Sequence, residues 1–107
     1  MLIIGGGKIG APLAYSLIND NHEVFVLDRD SEKVSALQNE LGMVTGVGDA
    51  TSTSALSNAG AARAGVVIAT TRSDEDNLSV CQIAKSNFNV PRTIAGAHSS
   101  ENAHLFT

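Results

Sequence analysis

Three consecutive glycines, Gly5 to Gly7, follow an apolar triplet almost at the start of the chain, in the stretch LIIGGGKIGAPLA (residues 2–14). Glycine loses more conformational freedom on folding than any other residue, so such a run stands where the backbone must turn tightly or come close to something. The triplet before it reads as a strand and the apolar repeat after it as a helix. The glycines are therefore the corner of a strand–turn–helix unit.

Along the rest of the chain, short apolar runs alternate with longer helical patterns. Strands are predicted at Leu2 to Ile4, Glu23 to Asp28, Met43 to Val47, Gly65 to Thr71 and Arg92 to His98, all rich in β-branched residues. Helices are predicted at Lys8 to Asp20, Ser31 to Leu41 with Gly42 as C-terminal cap, Ser52 to Asn58, and Asp74 to Phe88. Ser73 precedes the last of these and Asp76 lies three residues on, the spacing of a capping box. Strict alternation of strand and helix implies a parallel sheet with helices on both faces. We expect one α/β domain over residues 1–107, a Rossmann-like doubly wound sheet of about five strands in the order 3-2-1-4-5. No internal linker, repeat or low-complexity tract interrupts it.

Gly5, Gly7 and Gly10 have the GxGxxG spacing of a dinucleotide-binding turn. The first glycine permits the turn, the second lets backbone approach a phosphate, and the third lets the helix pack closely on the strand. Free N–H groups and the positive end of the helix dipole then face the anion. Pro12 fits this reading, because a proline near a helix start falls among donors that have no intrahelical acceptor.

The second strand ends in Asp28, 18 residues past Gly10, close to the roughly 20 expected for an acid that binds ribose hydroxyls. Asp30 and Ser31 are better placed to cap the following helix. Asp28 also repels a 2′-phosphate, an effect that Arg29 beside it weakens, so NAD(H) or ATP/ADP come before NADP. On this reading the carboxylate sits at an exposed strand end, where its loss costs affinity and leaves the ligand-free fold untouched.

Composition excludes several classes. Seven basic and 11 acidic residues give a net charge of −4, which argues against nucleic acid or an anionic membrane as partner. No apolar run reaches the roughly 20 residues that span a bilayer, and the N-terminal residues lack signal-peptide order, so we expect a soluble, cytoplasmic chain. Cys81 is the single cysteine and cannot form an internal disulfide; a small buried side chain on a helix is its simplest role. His98 and His104 are six apart, which is not the i, i+4 spacing that puts two metal ligands on one helix face. Asp74, Glu75 and Asp76 are acids favoured by the dipole of a helix start. Thr51 to Ser54 lack a paired general base. No catalytic residue emerges.

Two later stretches go beyond a generic nucleotide turn: "GDAT" (Gly48 to Thr51) and "ATTRSDEDNL" (Ala69 to Leu78), each at the carboxyl end of a predicted strand. Together with "GGGKIG" and "VLDRD" they resemble the N-terminal nucleotide-binding domain of the RCK or KTN family, cytosolic regulators of Trk/Ktr-type potassium uptake systems and of some potassium channels. The resemblance covers nearly the whole chain. It implies that Gly5, Gly6, Gly7, Lys8, Ile9 and Gly10 hold phosphates and that Asp28, with Arg29 beside it, holds the adenosine ribose. It further implies that Asp49, Ala50 and Thr51 lie by the adenine, and that Thr70 and Thr71 line the phosphate side. A membrane potassium transporter or channel subunit is the implied partner, with a homodimer or higher ring for the full-length protein.

The pattern also departs from that family. Where many members carry an arginine after the fifth strand's "IA", this chain has Gly96, so the phosphate or interface contact it offers is missing. The chain stops at "ENAHLFT" inside what looks like a fifth helix, whereas the family continues to a sixth strand; we therefore expect a piece of a longer protein. The competing class is the cofactor half of an NAD-dependent dehydrogenase without its substrate domain. Fold alone does not separate the two, but hydride transfer asks for a substrate site and an acid or base that this sequence does not display.

Overall fold

The computed structural model describes residues 1–41 and 45–96. The Gly42 cap, the strand start at Met43, the strand end at Ala97 and His98, His104 and the helix through "ENAHLFT" lie outside the described residues. Within them the chain runs β1 (Leu2–Ile4), α1 (Gly10–Asn19), β2 (Phe25–Asp28), α2 (Ser31–Leu41), β3 (Thr45–Val47), α3 (Thr53–Asn58), a single 3₁₀ turn (Ala61–Arg63), β4 (Val66–Ala69), α4 (Asp74–Phe88) and β5 (Arg92–Ala95). The 3₁₀ turn is unforeseen by pattern; it follows Gly60, whose φ of 91° turns the chain after α3.

All strand pairs are parallel and the sheet order is β3-β2-β1-β4-β5, as expected for a Rossmann-like fold. Alternate side chains of the strands feed two cores. Leu2, Ile4, Leu27, Val67 and Ala69 face the side covered by Leu56 of α3 and by Val80, Cys81 and Ala84 of α4. Ile3 and Val26 face the other side, against Ala14 of α1 and Leu37 of α2. This two-sided burial is why β1 is an uninterrupted apolar triplet. Cys81 takes the buried helical position expected of it, and burial pushes its thiol pKa up.

Element ends differ from the sequence expectation where the site begins. Helix α1 starts at Gly10 rather than Lys8, because Gly7 to Ile9 form the turn; the first helical bond runs from Ala11 N–H to Gly7 O at 3.1 Å. Strand β4 stops at Ala69, so Thr70 and Thr71 belong to the loop into α4. Strand β2 starts at Phe25, opposite Leu2. The capping box at α4 is half formed. Ser73 Oγ accepts from Asp76 N–H at 3.1 Å, but the N–H of Ser73 donates to Thr71 Oγ1 at 3.3 Å instead of to Asp76.

Candidate functional site

The chain leaves β1 in opposite directions on its two sides, toward β2 through α1 and, later, back to β4. This order reversal opens a crevice at the carboxyl ends of the strands, where ligands of open α/β sheets bind. Its floor is laced by backbone bonds just past the strands: Gly5 N–H to Leu27 O, Thr70 N–H to Ile4 O, Gly96 N–H to Ala69 O at 2.8 Å each, and Gly48 N–H to Asp28 O at 2.9 Å. A cleft of about 760 Å³ lies over that floor, within the range of small-molecule sites. Of the residues singled out from sequence, Gly5, Gly7, Lys8, Ile9, Asp28, Arg29, Asp49, Ala50, Thr51, Thr70 and Thr71 line it. Gly6 and Gly10 lie behind the lining and shape it.

The glycines divide the labour. Gly5 has φ +102°, which side-chain-bearing residues rarely adopt. A Cβ on Gly10 would lie 1.8 Å from Gly5 O, so helix and turn touch backbone to backbone. A Cβ on Gly6 would fall 2.5 Å from Cδ1 of Leu37, so α2 presses on the turn there. Gly7 alone faces open space: its Cβ would meet nothing nearer than Lys33 Nζ at 3.9 Å.

Asp28 has a second task that its position in sequence conceals. Its Oδ2 accepts from Gly6 N–H at 2.7 Å and its Oδ1 from Asp30 N–H at 2.8 Å. The carboxylate thus ties the glycine turn to the end of β2, and the expectation that the ligand-free fold is indifferent to it does not hold. A carboxylate has about four lone-pair sites, so each oxygen keeps acceptor capacity toward the cleft. Asp30 takes the capping role foreseen for it, with Oδ1 accepting from Glu32 N–H at 2.9 Å.

Across the cleft, Asp49 Oδ1 accepts from Thr51 Oγ1 at 2.7 Å and from Thr51 N–H at 3.0 Å. Those bonds, hydroxyl first, hold the Asp49 carboxyl below its ordinary pKa, with Arg29 adding to them. Thr70 Oγ1 donates toward Ile4 O at 3.0 Å, and Thr71 Oγ1 toward Asn77 Oδ1 at 2.7 Å. Both threonines line the cleft while their hydroxyls brace its wall.

The anchor of that wall is Asn77 on α4, fully buried at 0% exposure. Its Oδ1 accepts from Thr71 N–H at 2.9 Å as well as from the hydroxyl, and its Nδ2 donates to Thr71 O at 3.1 Å and Gly96 O at 2.9 Å. One side chain therefore joins the β4–α4 loop to the end of β5. A sequence signal exists for it: Asn77, Val80, Cys81 and Ala84 form one i, i+3, i+4, i+7 stripe, and the polar member of an apolar stripe must be hydrogen-bonded inside.

Lys33 and Arg72 also line the cleft, and neither was singled out by motif. With Lys8 and Arg29 they make four of the chain's seven basic residues, against three acids (Asp28, Asp49 and Asp76) in the same lining. The cleft is net positive on a chain whose total is −4, which focuses attraction for an anion there. Arg29 reaches toward Asp76 on α4, Nη2 to Oδ2 3.9 Å, and the two side chains are 70% and 35% exposed.

Among known proteins, a family model described as the TrkA-N domain matches residues 1–107. The chain is 32% identical over 101 residues to the Trk system potassium uptake protein TrkA of Vibrio alginolyticus, covering 94% of this chain and 22% of that protein. It is 29% identical over 106 residues to a TrkA homolog of Methanothermobacter thermautotrophicus, covering 99% of this chain and 49% of that one. The chain thus spans between about a fifth and a half of these relatives. Among solved structures it is similar to the NAD(P)-binding domain of an exopolyphosphatase-related protein from Archaeoglobus fulgidus, with 26% identity and a TM-score of 0.80 over 94% of this chain and 74% of that one. The TrkA-N domain of the inner membrane protein ybaL from Escherichia coli superposes with a TM-score of 0.84 at 21% identity, over the same shares, and shares the fold.

Proposed function

The chain belongs to the TrkA-N domain family, and from that membership we propose that it is the adenine-nucleotide-binding, regulatory part of a potassium uptake system. The observation that supports this reading is the meeting of Gly6 and Asp28 beside the open face of Gly7: carboxylate oxygens able to accept from hydroxyls and an uncrowded stretch of turn lie next to each other in one cleft. In this reading the N–H groups of the turn at Gly5 to Gly10, with Lys8, hold the phosphates of NAD(H) or ATP/ADP. The two free lone pairs of Asp28 take the ribose hydroxyls, with Arg29 beside it. Asp49, Ala50 and Thr51 flank the adenine, and the backbone of Thr70 and Thr71 forms the opposite wall. The names of the relatives, Trk system potassium uptake protein TrkA, support a membrane potassium transporter or channel subunit as the partner, reached from the cytoplasmic side. For the longer protein we propose a homodimer or ring.

In this reading the role is binding without turnover, in keeping with relatives named as potassium uptake proteins; among the described residues of the cleft no acid and base are paired over a reacting centre. Calorimetric titration with NAD, NADH, ATP and ADP tests the first half. Incubation with NADH and a panel of 2-oxo acids, and separately with ATP, tests the second. Micromolar binding without turnover is the expected result; steady turnover well above background would favour the dehydrogenase half instead.

A further inference from the structure

We propose that Lys33, on α2, is a direct ligand of a phosphate carried on the adenosine ribose, and that α2 is thereby a working wall of the nucleotide site. The proposal rests on the nucleotide-binding reading above. Its ground is geometric. Of the four glycines of the turn only Gly7 has an uncrowded face, and the atom bordering it is Lys33 Nζ, 3.9 Å from where a Cβ would stand.

The lysine is held there by its own helix. Leu37 lies one turn further along α2, on the same face, and its Cδ1 presses on Gly6, while Leu37 and Val34 are each 5% exposed. The backbone that carries Lys33 is thus anchored on the turn next to Gly7. Among the described residues no carboxylate is within ion-pair distance of Lys33, whereas Arg29 is engaged with Asp76. An anion seated on Gly7 therefore meets an uncommitted ammonium group and exchanges only water for it. Arg29, by contrast, shares its surroundings with the Asp76 carboxylate 3.9 Å away. Because the neighbouring Gly6 is bonded to Asp28, the phosphate at Gly7 is one attached to the ribose that Asp28 holds, either the 5′-diphosphate or a 2′-phosphate.

The test compares the full chain with Lys33→Gln and Lys33→Arg by calorimetry, using adenosine, ADP, NADH and NADPH. Lys33→Gln is expected to weaken ADP and NADH about tenfold, the size carried by a charge-assisted hydrogen bond, with adenosine unchanged and Lys33→Arg close to the parent. Equal losses for NADH and NADPH assign the ammonium to the 5′-diphosphate; a larger loss for NADPH assigns it to the 2′-phosphate. Equal affinity of parent and Lys33→Gln for ADP, NADH and NADPH alike overturns the proposal, as does a loss that adenosine shares; a loss confined to NADPH is the 2′-phosphate outcome. Absence of binding by the parent overturns the nucleotide reading itself, so the two failures are distinct. Unchanged melting of both ligand-free variants shows that the exposed side chain was not structural.

Discussion

The N–H of Gly6 donates to Oδ2 of Asp28 across 22 positions of sequence at 2.7 Å, and in doing so joins the two halves of a nucleotide signature before any nucleotide arrives. The acid is part of the turn it faces. A carboxylate with this partner is oriented in advance, so a ligand meets a preformed acceptor rather than a mobile side chain.

Asp28→Ala should consequently reduce both stability and affinity. Two backbone N–H groups lose their acceptor, which corresponds to about 1–2 kcal/mol of ligand-free stability. Nucleotide affinity should fall at least tenfold, since two hydrogen bonds to a charged group are lost with it. Urea unfolding of the free protein and calorimetry of the folded fraction separate the two effects. A mutant with unaltered urea midpoint would contradict the tie between turn and strand.

Asn77 offers a sharper stability test. Asn77→Ala removes the acceptor of the Thr71 N–H and the donor to the carbonyls of Thr71 and the buried Gly96, and should cost about 3 kcal/mol. Asn77→Asp should be no better, because a carboxylate cannot donate to the carbonyls of Thr71 and Gly96 and would bring a charge into a fully buried place. Chemical denaturation ranks the pair; recovery of stability in the aspartate variant would show that the two donated bonds contribute little.

The glycines should respond in opposite ways. Gly10→Ala drives a methyl into Gly5 O and should abolish or severely weaken the fold, beyond the few kcal/mol typical of overpacking. Gly7→Ala meets only open space and should melt within a few degrees of the parent while losing phosphate-bearing ligands. Melting curves with and without ADP check both in one experiment.

Asp49 predicts a pH effect of definite sign. Its folded pKa is depressed below the ordinary 3.8, chiefly by the Thr51 hydroxyl, so its contribution to stability is complete above that value and is lost as pH falls through the folded pKa. Thr51→Val should move the Asp49 titration upward in an NMR pH series. The stability gap between parent and variant should narrow below pH 3.8. A titration curve unmoved by the substitution would assign the depression to the Thr51 N–H and Arg29.

The strand order, the glycine turn, the buried Cys81 and the gathering of Asp28, Asp49 and Thr70 at one end of the sheet were legible because each depends on local chemistry: periodicity, a turn that only glycine makes, an acid at a strand end. What pattern did not supply depends on which long side chain crosses to which element. Lys33 and Leu37 read as ordinary members of an amphipathic helix, and nothing in "SEKVSAL" shows that this helix leans on Gly6. The double use of Asp28 is hidden for the same reason: its donor is 22 residues away. Asn77 is the intermediate case, visible as a polar residue on an apolar stripe but without its partners. The ends of β4 and α1 were overrun by two residues each because the apolar and helical patterns continue past the point where the backbone turns to form the site.

The central strand has a timing consequence. Ile4 must wait for Thr70, 66 residues later, to close its side of the sheet, and every other pairing in the sheet is likewise parallel and non-local. As the polypeptide emerges from the ribosome, β1 and the glycine turn precede the other strands of the sheet and remain half-partnered until the 66 residues up to Thr70 have followed. The crevice cannot exist on a nascent chain that ends before β4. A cleft of this kind can therefore receive a ligand only once β4 has been synthesised and inserted.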